Sequence, residues 1–322
     1  MSTNTSGSMG PFAFIIHPIE VRRDVARKYP FLGWVPERLL EAMLRLHSPM
    51  AVAEVTGIRS RTGATTSGWL IGCPLSPRQF LEMPLDFVSH RIEQCGHIAE
   101  KLGAKMVGLG AFTSVVGDGG ITLSQRLSIA VTTGNSYTVA TAIEGTRRAA
   151  ELMGISMSNA TVAVLGASGS IGATCAGILA REVPRIALVG RSTERLETVR
   201  KRLETVSHCD VTLHTDVEEG LRDADVVVTV SSASEALVQP DHLKRGAVVC
   251  DVARPRDVSV RVARERNDVL VIEGGVVRVP GEMRCVKIGT DQPFSFGFPP
   301  GTAYACMSET MALVLEGRYE SF

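Results

Sequence analysis

The sequence predicts an α/β chain: a doubly wound parallel sheet, preceded by a smaller α/β domain and followed by a C-terminal helix that carries a cysteine. Three observations predict it. Thr161 to Gly172 reads TVAVLGASGSIG, an apolar run followed by three glycines at three-residue spacing, and the helical stretch TCAGILARE continues from it. A strand that turns on glycines into a helix leaves backbone N–H groups and a positive dipole end facing a phosphate, which is the layout of a dinucleotide-binding turn. Strands then alternate with helices: Arg185 to Val189, Val211 to His214, Asp225 to Val230, Ala247 to Val252 and Val269 to Ile272, with a helix at Thr193 to Val206. That alternation is the signature of a Rossmann-type sheet.

The glycines Gly166, Gly169 and Gly172 are spaced GxxGxxG and not GxGxxG, with Ala167, Ser168, Ser170 and Ile171 completing the candidate cradle. The next strand sharpens the reading. It ends in Gly190, Arg191 and Ser192, with Arg195 one turn on. An NAD-selective site places an acidic residue at this strand end to hold the ribose 2′-hydroxyl. A forked cation suits a phosphate instead, so the expected cofactor is NADPH, with Arg191 and Ser192 on the 2′-phosphate. Ser192 as a helix N-cap beside a solvated arginine is the competing account, and both can hold for Ser192.

The first half reads as a smaller domain. Phe12 to Ile16 is a strand ending at His17-Pro18, followed by helices over Ile19 to Lys28 and Pro36 to His47, with Pro36 in the first helical turn. Ala51 to Ile58 and Thr66 to Ile71 read as strands, Pro74 to Pro84 as a loop, and Phe87 to Leu102 as an amphipathic helix. Met106 to Leu109 is a strand opening into the loop GAFTSVVGDGG, and Ile129 to Thr132 is another opening into Thr133-Gly134-Asn135-Ser136. A helix from Tyr137 to Met153 leads to the glycine turn, and one from Thr302 to Glu316 ends the chain. The expected organisation is a disordered tail over 1–11, a substrate domain with its connecting helix over 12–150, the nucleotide-binding domain over 151–290 and a helical segment over 291–322.

Composition narrows the function classes. The 322 residues suit two domains, and 44% hydrophobic with 21% charged residues describes a globular chain. A formal net charge of +0 argues against nucleic-acid binding by bulk electrostatics. Seven cysteines with no CxxC pair suggest free thiols in a reducing compartment, hence the cytoplasm. No apolar run reaches membrane-spanning length, and no spacing suggests a metal site, since His90 and His97 lie too far apart on one helix for an i, i+4 pair. A homo-oligomer is compatible with the sequence.

Ligand-facing residues of such a sheet lie at the C-terminal ends of its strands. That rule selects Ser231 and Ser232, the segment Asp251 to Arg256, and the pair Gly274 and Gly275, whose backbone would approach the nicotinamide closely. Each has a plain turn reading as well, and Asp251 has Arg254 and Arg256 as candidate partners. The arginines at 254, 256, 261, 264 and 266 read as a solvated helix face. Cys306 falls in the first turn of the last helix, where the dipole favours thiolate, and a thiolate beside a hydride donor suggests a covalent thioester. A buried, inert cysteine is the competing reading. His17 is a candidate proton donor, though a lone histidine is often structural.

Four segments, LGAFTSVV at 109–116, TTGNSYT at 132–138, VAVLGASGSIG at 162–172 and YACMSETMALVLEG at 304–317, with GGVV at 274–277, carry a resemblance. The chain from about Phe12 to Glu316 resembles the long-chain acyl-[acyl-carrier-protein] reductases. The resemblance implies NADPH-dependent reduction of a fatty acyl thioester, on acyl carrier protein or coenzyme A, to an aldehyde. It implies Cys306 as the acyl acceptor, and Thr113, Ser114, Asn135 and Ser136 as oxyanion stabilisers in the matching loops. FSFGFPPG at 294–301 departs from the family pattern and bears on the acyl site. The layout also resembles shikimate dehydrogenases, and DVARPRDV at 251–258 resembles glutamyl-tRNA reductase. A hydroxy-acid dehydrogenase and a non-catalytic NADP-sensing protein are the alternatives; neither requires Cys306.

Overall fold

The computed structural model describes residues 7–28, 30–233 and 235–321. The chain folds as two compact units, one built from residues 1–134 and 276–322 and the other from residues 135–275. The sequence expectation draws the limits at 150/151 and 290/291 instead. The helix Asn135–Leu152 opens the second unit, and the C-terminal segment returns into the first. The first unit holds β1 (Phe12–Ile16), β2 (Met50–Arg59), β3 (Thr65–Gly72), β4 (Met106–Leu109) and β5 (Ala130–Thr132). The second holds β6 (Thr161–Leu165), β7 (Arg185–Val189), β8 (Asp210–His214), β9 (Val226–Thr229), β10 (Val248–Asp251) and β11 (Leu270–Glu273). Back in the first unit come β12 (Val276–Arg278), β13 (Gly281–Lys287) and β14 (Thr302–Tyr304).

The second unit is a wholly parallel sheet in the order β8-β7-β6-β9-β10-β11. Counted within the unit this is 3-2-1-4-5-6, the doubly wound order in which ligands bind where the order reverses. The reversal falls between β6 and β9. Val162 to Leu165, Ile186 to Val189 and Val226 to Val228 are all buried, as parallel strands covered on both faces must be. Each valine, leucine or isoleucine among them contributes about 1.5–3 kcal/mol.

The first unit is a mixed sheet in the order β13-β2-β3-β1-β4-β5. β1 lies parallel to both β3 and β4, while β2 and β13 close one edge antiparallel. Helix Leu85–Lys101 buries Val88, Ile92, Cys95 and Ala99 against one face. Helix Ala305–Leu315 joins the cluster on Phe12, Phe14 and Met106 through Met307, Met311 and Val314.

Several expectations are corrected. Pro36 is the N-cap of helix Glu37–Leu46 rather than part of it. The proline-rich stretch expected as a loop contains helix Pro77–Glu82, started by a capping box between Ser76 and Gln79. Helices Ile121–Arg126 and Val217–Leu221 and strands β12 to β14 were not expected from periodicity, being short or paired with distant chain. Of the expected disordered tail, residues 1–6 lie outside the described residues, and Ser8 bridges Thr65 while the Met9 N–H donates to the Thr65 carbonyl at 2.8 Å. Among the described residues no helix is long and apolar enough to cross a membrane.

Candidate active site

The glycine turn leaves β6 as the sequence reading expects. Gly166 has φ +84°, a conformation that a side chain would strain. A Cβ at Gly172 would stand 2.3 Å from the Gly166 carbonyl oxygen, so helix Ser170–Leu179 packs directly on the turn. The Gly169 N–H is taken by Gly166 O at 3.0 Å. The N–H groups of Ser170, Ile171 and Gly172, in the helix's first turn, have no intrahelical acceptor and are available to a phosphate.

The end of β7 lies beside this turn. A Cβ at Gly190 would be 3.7 Å from Ser168 Oγ, and the Arg195 Nη2 donates to the Ser168 carbonyl at 3.3 Å. Ser192 is the N-cap of helix Thr193–Glu204, accepting from the Arg195 N–H at 3.3 Å. Arg191 is exposed and makes no ion pair among the described residues. Arg191 and Arg195 at this strand end fit a 2′-phosphate, with Glu194 between them on the first turn of the helix. The cradle therefore fits a phosphorylated dinucleotide.

The other strand ends have local partners. Ser231 stands at the end of β9, but its hydroxyl donates to Asp257, and its N–H donates to Asp257 Oδ2 at 2.9 Å. Gly274 is small for a packing reason within the unit: a Cβ there would be 2.4 Å from Cys250 Sγ and 2.7 Å from Val252 Cγ2. A Cβ at Gly275 would meet only Val252 atoms, at 3.8 Å. Asp251 accepts from Thr229 Oγ1 at 3.0 Å and from the N–H groups of Ala253 and Val258 at 3.1 Å, with the Arg254 charge also acting on it. Arg254 and Arg256 both pair with Glu273. Arg266 bonds Asp268 and the carbonyls of Pro240 and Leu243, so the basic run is not one solvated face.

In the first unit, Cys306 is the second residue of helix Ala305–Leu315 and is half-buried. Tyr304 caps the helix without a side-chain hydrogen bond, leaving the first N–H groups to be satisfied otherwise. Gly134, at φ +72°, seats directly against it: a Cβ there would lie 2.3 Å from both Cys306 Cα and Cβ. Behind this contact is a polar relay that sequence reasoning missed. Thr132 and Glu309 are buried, and the Thr132 hydroxyl donates to Glu309 while accepting from the Gly134 N–H at 3.3 Å. Thr310 Oγ1 donates to the Cys306 carbonyl at 3.5 Å. Glu309 lies three residues past Cys306, a spacing that shares one helix face and was available as a signal.

Cys209 and Cys285 are half-buried like Cys306, and burial pushes Cys209 up to about 11. Cys73, Cys95, Cys175 and Cys250 are buried. Burial pushes the Cys175 thiol up to about 12, Cys250 to about 11 and Cys285 to about 12, and raises Cys95 as well. Phe296 and Phe298 meet Tyr304 edge-on with centroids 5.3 and 5.0 Å away, an aromatic cluster at the start of the cysteine helix.

The other proposed catalytic groups fare differently. Thr113 is buried, its hydroxyl donating to the Gly110 carbonyl at 2.8 Å and accepting the Gly110 N–H at 2.9 Å. Ser114 Oγ donates to Ala111 O at 2.8 Å. Both hydroxyls brace the turn Ala111–Ser114. His17 is engaged at both ring nitrogens. Its Nδ1 donates to the Pro18 carbonyl at 2.9 Å, its Nε2 accepts the Phe112 N–H at 3.3 Å, and its ring lies between Phe80 and Phe112. Burial pushes it down to about 4, so it is a neutral structural residue. Asn135 and Ser136 open the helix Asn135–Leu152 of the second unit and are not loop residues. Among the described residues no cluster of metal ligands occurs.

Residues 147–273 match the family model described as shikimate / quinate 5-dehydrogenase. The chain is 30% identical over 277 residues to the aminotransferase PigE of a Serratia species, covering 82% of this chain but 30% of that protein. It thus spans under a third of that relative's length. It is 28% identical over 316 residues to the long-chain acyl-[acyl-carrier-protein] reductase of Synechococcus elongatus, covering 94% of this chain and 88% of that protein. The shikimate 5-dehydrogenase of Listeria monocytogenes, crystallised with shikimate and NAD, superposes with a TM-score of 0.38 at 13% identity, covering 83% of this chain and 86% of that one. Residues 147–273 thus match a dehydrogenase family model on a parallel sheet of Rossmann type, in a chain that is similar over most of its length to a known reductase.

Proposed function

We propose that the chain is an NADPH-dependent reductase that takes an acyl thioester, on acyl carrier protein or coenzyme A, to the aldehyde through a thioester on Cys306. The observation that carries the reading is the seat of Cys306: half-buried, in the first turn of its helix, against Gly134. A helix N-terminus favours thiolate over thiol and stabilises negative charge developing nearby. In the reading, Cys306 sulfur attacks the substrate carbonyl, a new C–S bond forms, and the carrier leaves as its thiol. The first turn of helix Ser170–Leu179, with Arg191 and Ser192, would hold NADPH, which would supply the hydride that brings the acyl carbon to the aldehyde level. Release of the aldehyde returns the Cys306 sulfur.

The relay from Glu309 through Thr132 to Gly134 holds the segment packed on Cys306. The aromatic cluster of Phe296, Phe298 and Tyr304 supports an apolar acyl group. Asn135, which follows Gly134 in the chain, and Ser136 are our candidates for stabilising the oxyanion. The reading places the enzyme in the cytoplasm, where thiols stay reduced.

Cys306→Ser is expected to lower acyl-thioester-dependent NADPH oxidation by about 100-fold or more, with the NADPH dissociation constant changed less than about twofold. Undiminished turnover contradicts the covalent route. It would favour a hydroxy-acid dehydrogenase, which the family match over residues 147–273 also suits.

A further inference from the structure

The motif DVARPRDV at 251–258 is not used by the chemistry above, yet it holds the two buried carboxylates of the nucleotide-binding sheet. Asp251 is 2% and Asp257 0% exposed. Asp251 takes the Thr229 hydroxyl and two backbone N–H groups, so it ties the end of β9 to the turn after β10. Both Asp257 oxygens accept from Ser231, and the Thr229 hydroxyl and the Asp251 carboxylate also face the group. Asp257 Oδ2 accepts the Ser231 N–H at 2.9 Å, and its Oδ1 accepts the Ser231 hydroxyl, which in turn accepts the Ala233 N–H at 3.1 Å.

The position of that clamp matters because of what Ser231 lies against. A Cβ on Gly166 would be 2.9 Å from the Ser231 nitrogen and from the Val230 carbonyl. A Cβ on Gly172 would be 2.9 Å from Val230 Cγ2. Segment 230–231 is thus in direct contact with the glycine turn, at the reversal point between β6 and β9 where this sheet type binds its ligand. Displacing it would release one wall of the turn. Two bonds to one carboxylate are costly to leave unmade in a buried site. The burial that raises the Asp257 carboxyl to about 6 is the cost of keeping it there.

We propose that Asp257 is a positioning residue for the cofactor, acting through Ser231 to hold segment 230–231 against the phosphate-binding turn. Asparagine in its place keeps the volume but offers one acceptor and one donor where two acceptors are needed. The test uses the full chain and NADPH titration by fluorescence, with Asp257→Asn, Ser231→Ala and the double variant, and thermal melting of each.

Asp257→Asn is expected to weaken NADPH binding by about tenfold, the worth of a charged hydrogen bond, and Ser231→Ala by about threefold, since its N–H bond survives. The double variant binds no more weakly than Asp257→Asn alone, because both act through one contact. Wild-type affinity in a folded Asp257→Asn protein overturns the proposal, as do effects of the two substitutions that multiply. If Asp257→Asn does not fold, Ser231→Ala decides: unchanged affinity there also overturns it.

Discussion

His17 shows how a residue's chemistry is settled by its partners. A histidine at a strand end reads as a proton donor, but both ring nitrogens are engaged by backbone, and the ring packs between Phe80 and Phe112. Because its folded value, about 4, lies below the ordinary 6.5, the neutral form is the one the fold accepts. Its contribution is complete above pH 6.5 and is lost as pH falls toward 4. Thermal melting between pH 7 and 4.5 should show the wild type losing about 2 kcal/mol relative to His17→Gln over that window. Asp257, raised to about 6, pulls the other way in the same window, gaining stability as it protonates. That effect is common to both proteins and cancels in the comparison. Equal pH profiles would contradict the assignment.

At the scale of elements, what is legible in the sequence is what is local. The strand, glycines and helix from Thr161 to Leu179 are contiguous, and their spacing states the turn without help from the rest of the chain. The strand end at Arg191 is equally local. Arg191→Asp should shift preference from NADPH toward NADH, read as the ratio of the two kcat/KM values; a wild-type protein using both cofactors equally would contradict the phosphate reading. Long-range partnerships are not legible. Thr132 and Glu309 are 177 positions apart, and nothing in either segment alone announces that one hydroxyl joins them. β13 pairs antiparallel with β2 across more than half the chain, so its strand character is fixed by a partner rather than by periodicity. Thr113 and Ser114 read as catalytic because they are polar residues in a loop, whereas the turn consumes their hydroxyls.

For the whole molecule, the chain builds a mixed sheet, leaves it at residue 134 for a complete nucleotide-binding unit, and returns at residue 276 to finish the first. The alternation of strands and helices predicts the second unit well. The return is what sequence order hides, and it delivers the helix bearing Cys306 to the sheet that holds Gly134. The account's central claim is that this sulfur carries the acyl group. Intact-mass spectrometry after incubation with an acyl-carrier thioester, with NADPH left out, tests it most directly. The account predicts one added acyl mass, mapped to Cys306, absent in Cys306→Ser and lost with aldehyde release when NADPH is supplied. No adduct, or an adduct mapped to another cysteine, would contradict it.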